Sequence, residues 1–136
     1  MNNNSPIEID LIKISDDRGN LSFIEGMNHI PFEIKRVYYL YDIHSGSYRG
    51  AHAHKNLQQL MMPLSGSFNV LLDDSRSQKK YHLKDPSKGL YIPPGYWREL
   101  FDFSSGAVCL VLASDVYKEN DYIRDYDEFS KFKKNI

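Results

Sequence analysis

The chain has 136 residues, a length that buries roughly two thirds of the unfolded surface within one domain and leaves no room for a second. Its 17 Lys and Arg are interspersed with 18 Asp and Glu, which excludes both the basic stripe of a nucleic-acid binder and an acidic solvating tail. A lone cysteine, Cys109, excludes an internal disulfide, no apolar run approaches the roughly 18 residues of a membrane helix, and no signal pattern opens the chain, so the expectation is one cytoplasmic domain over residues 1–136 with no nucleic-acid or membrane partner.

The polar residues 1–5 are expected to be disordered. Ile7 to Ile12 alternates as a strand does, Ser15 to Asn20 reads as a turn, and Leu21 to Gly26 returns as a second strand. Arg18 at that tip is a solvated turn residue unless the hairpin hangs over a neighbouring mouth. Ile34 to Tyr41, rich in β-branched and aromatic residues, predicts a strand with Ile34, Arg36, Tyr38 and Leu40 on one face. A buried Tyr38 needs a partner for its hydroxyl, so it is either structural or a proton donor lining a cavity.

On a strand, His52 and His54 place two imidazoles on the same face. Leu57 and the apolar Leu60 to Leu64 follow, so the pair stands where a strand enters a core and lines a cavity. Leu60 to Leu64 and Phe68 to Leu72 read as a hairpin around Ser65-Gly66-Ser67, and Lys79 to Leu83 pairs beyond the turn Asp73 to Ser77. Gly89 to Ile92 runs into a rim loop, Pro93-Pro94-Gly95. Glu99 to Phe103 and Ala107 to Ala113 read as a last hairpin, with Cys109 a small buried hydrophobe. Only Ile123 to Phe132 has helical spacing, with Ile123, Tyr126, Phe129 and Phe132 on a stripe that packs on the outside. Short strands at intervals of roughly 8 to 12 residues predict an all-β jelly-roll barrel with a short C-terminal helix.

A His-x-His pair serves either a metal or acid/base chemistry. Gly46, His52, His54, Gln59 and Gly66 have the spacing of the first motif of the cupin superfamily, with Gln59 where metal-binding cupins carry glutamate; Pro93-Pro94-Gly95 resembles the start of the second, with Arg98 where they carry histidine. A neutral amide and a permanent cation replace two of the four usual ligands, so neither a metal nor another cofactor is expected. A metal-dependent dioxygenase would require Gln59 and Arg98 to face away from the site. Without a metal, His52 and His54 are left as bases whose ordinary pKa of about 6.5 keeps them mostly neutral. A positioned base supplies only about 10² to 10⁴ in rate, so the proton must already be activated, as on carbon beside a carbonyl. His29, His44 and His82 read as solvated. Arg49, Lys55 and Arg98, the last on the facing rim, match the oxygens of a diphosphate. Tyr48, Tyr96 and Trp97 offer flat surfaces for a base or a sugar, or else pack the barrel.

With these residues in hand, the chain resembles the nucleotide-sugar 3,4-ketoisomerases, metal-free cupins that convert dTDP-4-keto-6-deoxyglucose into a 3-keto-6-deoxyhexose. The resemblance runs through Asp17-Arg18-Gly19, Ile34 to Tyr39, Arg49-Gly50-Ala51-His52-Ala53-His54-Lys55, Leu71 to Asp74, Gly89-Leu90-Tyr91, Trp97, Asp102 to Ser105, Val111 to Asp115 and Asp121 to Asp127. It implies that His52 takes the C3 proton and helps return it at C4 through an enediol(ate), assisted by His54 and Tyr38. Arg49 and Arg98 would hold the diphosphate or steady the oxyanion, and Arg18, Arg36, Lys55, Tyr48, Tyr96 and Trp97 would complete the binding site for a dTDP-linked 4-keto-6-deoxy sugar. It further implies a homodimer, with the first hairpin as exchanged element, feeding an aminotransferase in surface-glycan synthesis. Some members carry histidine at the position of Arg98, which leaves the C4 configuration, gluco or galacto, open. A sugar-nucleotide epimerase, which also needs a base beside a ketone, and a non-catalytic nucleotide-sugar-binding cupin are the alternatives.

Overall fold

The computed structural model describes residues 4–136. The expected disorder falls on residues 1–5, of which 1–3 lie outside the described residues, while Asn4 and Ser5 are exposed in a turn and bend. Twelve short strands follow among the described residues: β1 (Ile7–Asp10), β2 (Ile12–Asp16), β3 (Gly19–Phe23), β4 (Arg36–Leu40), β5 (Arg49–His54), β6 (Gln59–Ser65), β7 (Phe68–Asp73), β8 (Gln78–Leu83), β9 (Lys88–Ile92), β10 (Trp97–Phe101), β11 (Val108–Ala113) and β12 (Tyr122–Ile123). A 3-10 turn (Glu119–Asp121) precedes β12, and one α-helix, α1 (Tyr126–Lys134), follows it among the described residues. Two antiparallel five-stranded sheets, ordered β1-β9-β6-β11-β4 and β12-β5-β10-β7-β8, face each other as the all-β jelly roll that the strand spacing predicts.

Alternation explains what lies between the sheets. Met61, Leu90, Ile92 and Val111 point inward from the first sheet and meet Phe68, Val70, Leu72 and Leu100 from the second in one core. The intervening residues Leu60, Met62, Tyr91 and Leu112 point the other way, where Leu11, Ile30 and Phe32 cover them. Both faces of β6, β9 and β11 are therefore dry, which accounts for their nearly continuous apolar runs. A third cluster, Ala53, Trp97, Ile123 and Phe129, fastens α1 to the outside of the second sheet.

Four sequence expectations need correction. β6 and β7 do not pair with each other, and neither do β10 and β11; in each case the chain crosses from one sheet to the other. The Ser-Gly-Ser signal of a hairpin serves equally as a corner, and here Ser67 and Ser104 tie the two corners together, Ser67 N–H donating to Ser104 Oγ at 2.8 Å and Ser104 N–H to Ser67 O at 2.9 Å. The first strand breaks at Leu11, which is buried and bonded to Ser87 O, so β1 pairs with β9 while β2 and β3 form a separate, wholly exposed hairpin. The helix starts at Tyr126 rather than Ile123. Asp125 caps it by accepting from Glu128 N–H at 3.1 Å, and Ile123 belongs to β12, paired with Ala53. No helix among the described residues is long and apolar enough to cross a membrane.

Gly66 at the first corner has φ +68°, and a Cβ there would collide with Ser104 Oγ and stand 2.9 Å from Ala107 Cα. Gly66→Ala is expected to cost about 2 kcal/mol or more and to lower the thermal midpoint by roughly 5–10 °C; an unchanged midpoint by calorimetry would show that the corner relaxes freely.

Candidate active site

The site begins with an irregularity in β5. Arg98 of β10 pairs with His52 and Glu99 with Gly50, so Ala51 between them has no partner. Gly50 and Ala51 take φ +86° and +57°, and a Cβ on Gly50 would stand 3.0 Å from Arg98 O. Such a bulge twists a strand and re-aims the side chains beyond it. Past it, the rings of His52 and His54 lie edge to face with centroids 4.9 Å apart. β12 pairs alongside and brings Tyr122 over both, at 5.0 and 4.4 Å.

His54 is fully buried, and its Nδ1 lies 3.1 Å from Asp121 Oδ2. The same carboxylate accepts Asn56 N–H at 2.8 Å and Leu57 N–H at 3.3 Å, so Asp121 is itself fixed. Burial first, then Arg98 and His52, push His54 down to about 2, so the contact is a neutral hydrogen bond rather than an ion pair. An acceptor carboxylate holds the proton on Nδ1, which leaves the Nε2 lone pair bare. Burial, then Arg98, lower His52 to about 4. The Nε2 atoms of both rings are buried without a hydrogen-bond partner. Two neutral rings with bare Nε2 atoms thus stand side by side.

Opposite them, Tyr38 Oη accepts from Gln59 Nε2 at 3.0 Å, and Gln59 Oε1 accepts from Arg98 Nη1. Arg98 also donates to Tyr96 O at 2.9 Å. Burial pushes Arg98 down to about 10, which still leaves it charged at neutral pH, and burial raises Tyr38 against the pull of Arg98. A cavity of about 300 Å³ lies between these walls, lined by Tyr38, His52 and Tyr122, by four arginines, Arg36, Arg49, Arg98 and Arg124, and by apolar side chains such as Met61 and Val111. No carboxylate lines it. The arrangement can remove a proton from carbon, give one to oxygen and hold a polyanion.

The structure therefore brings Tyr38, Arg36, Arg49, His52 and Arg98 together, while His54 stands behind Tyr122 and borders a larger neighbouring cleft. Arg98 is not on a rim; it is fully buried in the wall. Trp97 points the opposite way because neighbours on a strand alternate, and it packs beneath α1 against Tyr126 and Phe129, donating to Glu99. Tyr96 packs on the core with Lys133 over its ring, and Tyr48 stacks on Phe101 outside the cavity. Lys55 is exposed, and Arg18 is exposed at the hairpin tip beside Asp16. Tyr122, Arg124 and Asp121 enter from the C-terminal segment; sequence reasoning gave them no role, and only their place in the block Asp121 to Asp127 marked them.

The residues at the cupin ligand positions do not fit a divalent metal, because the Gln59 oxygen is taken by a guanidinium that would repel the ion. Among the described residues, no three His, Cys, Asp or Glu side chains gather to hold one.

Comparison with known proteins places this geometry. The family model FdtA, described as WxcM-like, C-terminal, matches residues 4–134. The chain is similar to the TDP-4-oxo-6-deoxy-α-D-glucose-3,4-oxoisomerase of Aneurinibacillus thermoaerophilus, 50% identical over 124 residues that cover 91% of this chain and 89% of the relative. Among solved structures it is similar to an Asn-for-His variant of QdtA, the 3,4-ketoisomerase of Thermoanaerobacterium thermosaccharolyticum, in complex with TDP-4-keto-6-deoxyglucose (TM-score 0.94, 45% identity, 96% and 94% of the two chains). It is also similar to WlaRB, the TDP-quinovose 3,4-ketoisomerase of Campylobacter jejuni (TM-score 0.90, 47% identity, 94% and 98%).

A His52 held near 4 stays neutral across the physiological range. Its ring resonances in a proton NMR titration are expected to be flat from pH 8 down to about 5.5 and to begin moving only as pH falls toward about 4. A midpoint near the ordinary value of about 6.5 would mean a solvated ring.

Proposed function

We propose that this chain, which belongs to the FdtA family, is a TDP-sugar 3,4-ketoisomerase that takes TDP-4-keto-6-deoxyglucose to a TDP-3-keto-6-deoxyhexose. The observation that carries the reading is the bare His52 Nε2, which shares with the Tyr38 hydroxyl a cavity walled by arginines. The names of relatives at 45–50% identity favour a ketoisomerase over an epimerase or a mere nucleotide-sugar binder.

The chemistry asks for four proton movements and no oxidant. The C4 ketone acidifies the hydrogen on C3, and His52 Nε2 takes it. The electron pair runs through an enediolate to O4, which Tyr38 protonates. The O3 hydroxyl proton then restores Tyr38 as C3 becomes the ketone, and His54 assists from behind, its ring packed against His52. His52 returns its proton to C4, so the product is an isomer of the substrate. Arg98, a fixed cation in a dry wall, stabilises the oxyanion more than a solvated one would. Arg36 and Arg49 are placed to hold the diphosphate, while Arg124 is already paired with Glu119 at 2.8 and 2.9 Å. Lys55, Arg18, Tyr48, Tyr96 and Trp97 lie outside the cavity of one chain.

The reading includes a cytoplasmic homodimer supplying a later aminotransferase in surface-glycan synthesis. In support of the dimer, the β2–β3 hairpin exposes Ile12, Ile14, Leu21 and Phe23, a set of apolar residues that a lone chain leaves in water. An exchanged hairpin would also carry Arg18 to the partner.

His52→Asn is expected to lower turnover of TDP-4-keto-6-deoxyglucose by roughly 10²–10⁴-fold while leaving its binding within a few-fold. Loss of binding or of the fold instead would make the histidine structural and remove the main support for the reading. In light scattering the wild type is expected at twice the 15.8 kDa chain mass, and Ile14→Asp at the mass of one chain. A monomeric wild type would contradict the dimer.

A further inference from the structure

The hydrogen bonds behind Tyr38 have only one possible direction. A guanidinium has five donors and no acceptor, so the Gln59 atom facing Arg98 Nη1 must be the amide oxygen. The amide cannot be flipped, and its Nε2, which carries only donors, faces Tyr38 Oη at 3.0 Å. The phenol oxygen therefore accepts, and its own hydrogen is left for the cavity, where His52 and any bound sugar lie.

We infer that Gln59 is a positioning residue: it converts the buried charge of Arg98 into a fixed hydrogen-bond direction that commits Tyr38 to donating its proton into the cavity. The inference rests on the ketoisomerase reading and deepens it by naming the residue that keeps the phenolic proton turned toward O4. It also explains what the amide does in place of the usual cupin glutamate. Once Tyr38 has given up its proton, the Gln59 N–H and the Arg98 charge both favour the phenolate, and the O3 hydroxyl proton restores it. A carboxylate at position 59 would reverse this. It would keep the bond to Arg98, but it would accept from Tyr38 O–H, turning the proton away from the substrate and opposing the phenolate.

The test uses Gln59→Glu, which preserves shape and the Arg98 pairing, and Gln59→Met, which preserves shape and removes both hydrogen bonds. Assays contain EDTA. Gln59→Glu is expected to lower kcat by about a hundredfold or more with KM within about threefold, and Gln59→Met to fall between it and the wild type. A residue that only supported the fold would give the opposite order, since methionine strands a buried charge and glutamate does not. The second readout needs no substrate: difluorotyrosine is placed at position 38 and its phenol is titrated by ¹⁹F NMR. Its midpoint is expected to rise from wild type to Gln59→Glu. If Gln59→Met does not fold, the Gln59→Glu rate and titration decide by themselves. A wild-type kcat in Gln59→Glu, a greater loss in a folded Gln59→Met, or an unmoved titration would each overturn the relay. Absence of turnover in the wild type would instead overturn the ketoisomerase reading, and the titration would still decide the relay.

Discussion

A guanidinium with almost no contact with water is costly to bury, and the site is arranged around one. Arg98 is 1% exposed, and its charge is met by the Gln59 amide and the Tyr96 carbonyl rather than by a carboxylate. Burying a charge without a counter-ion costs several kcal/mol even after relaxation. What the protein gains is an unneutralised positive field inside the barrel. That field is the second cause, after burial, holding both histidines neutral, and it opposes the upward shift that burial imposes on Tyr38. A salt bridge at Arg98 would have cancelled the field at the place where an oxyanion develops.

The two sheets contribute complementary halves. Tyr38 and Gln59 come from β4 and β6 of one sheet, and His52, His54 and Arg98 from β5 and β10 of the other, so the two sheets bring these side chains to one place in the barrel. The bulge at Ala51 and the pairing of β12 with His54 tune the second half, and Asp121 adds the hydrogen bond that fixes the His54 tautomer. A barrel with two cupin ligands replaced thus offers a bare base beside a directed acid, which suits moving a carbonyl by one carbon. Proton transfer of this kind has no need of a Lewis acid when the ketone already activates the adjacent C–H bond.

How much of this was legible depended on the range of the interaction. The shared face of His52 and His54 follows from strand alternation, and the Gln59 and Arg98 substitutions stand in the sequence at readable spacing. The jelly roll followed from strand and turn intervals. Partnerships were less legible: Ser65-Gly66-Ser67 carries the same signal whether β7 folds back on β6 or crosses to the other sheet, and only the packing of Gly66 against Ser104 and Ala107 decides it. For Trp97 the ring alone suggests a stacking surface as readily as a packing one, and only the inward position of its neighbour Arg98 decides for packing. Asp121, Tyr122 and Arg124 reach the site through a strand of two residues, far from the histidines in sequence, and no local pattern announces such a pairing. Ile123 extended the helical stripe because one residue on the right spacing does not distinguish a helix from the strand before it.

The central claim is that one base moves a proton from C3 to C4 while the ketone moves the other way. The most direct test is proton NMR of TDP-4-keto-6-deoxyglucose incubated with the enzyme in heavy water. The account predicts that the C3 proton disappears, that a new C4 hydrogen position forms with deuterium to the extent that His52 exchanges with solvent, and that C5 stays unlabelled. Deuterium at C3 or C5 with the ketone still at C4 would contradict it, and so would an unchanged spectrum from protein that binds the sugar nucleotide.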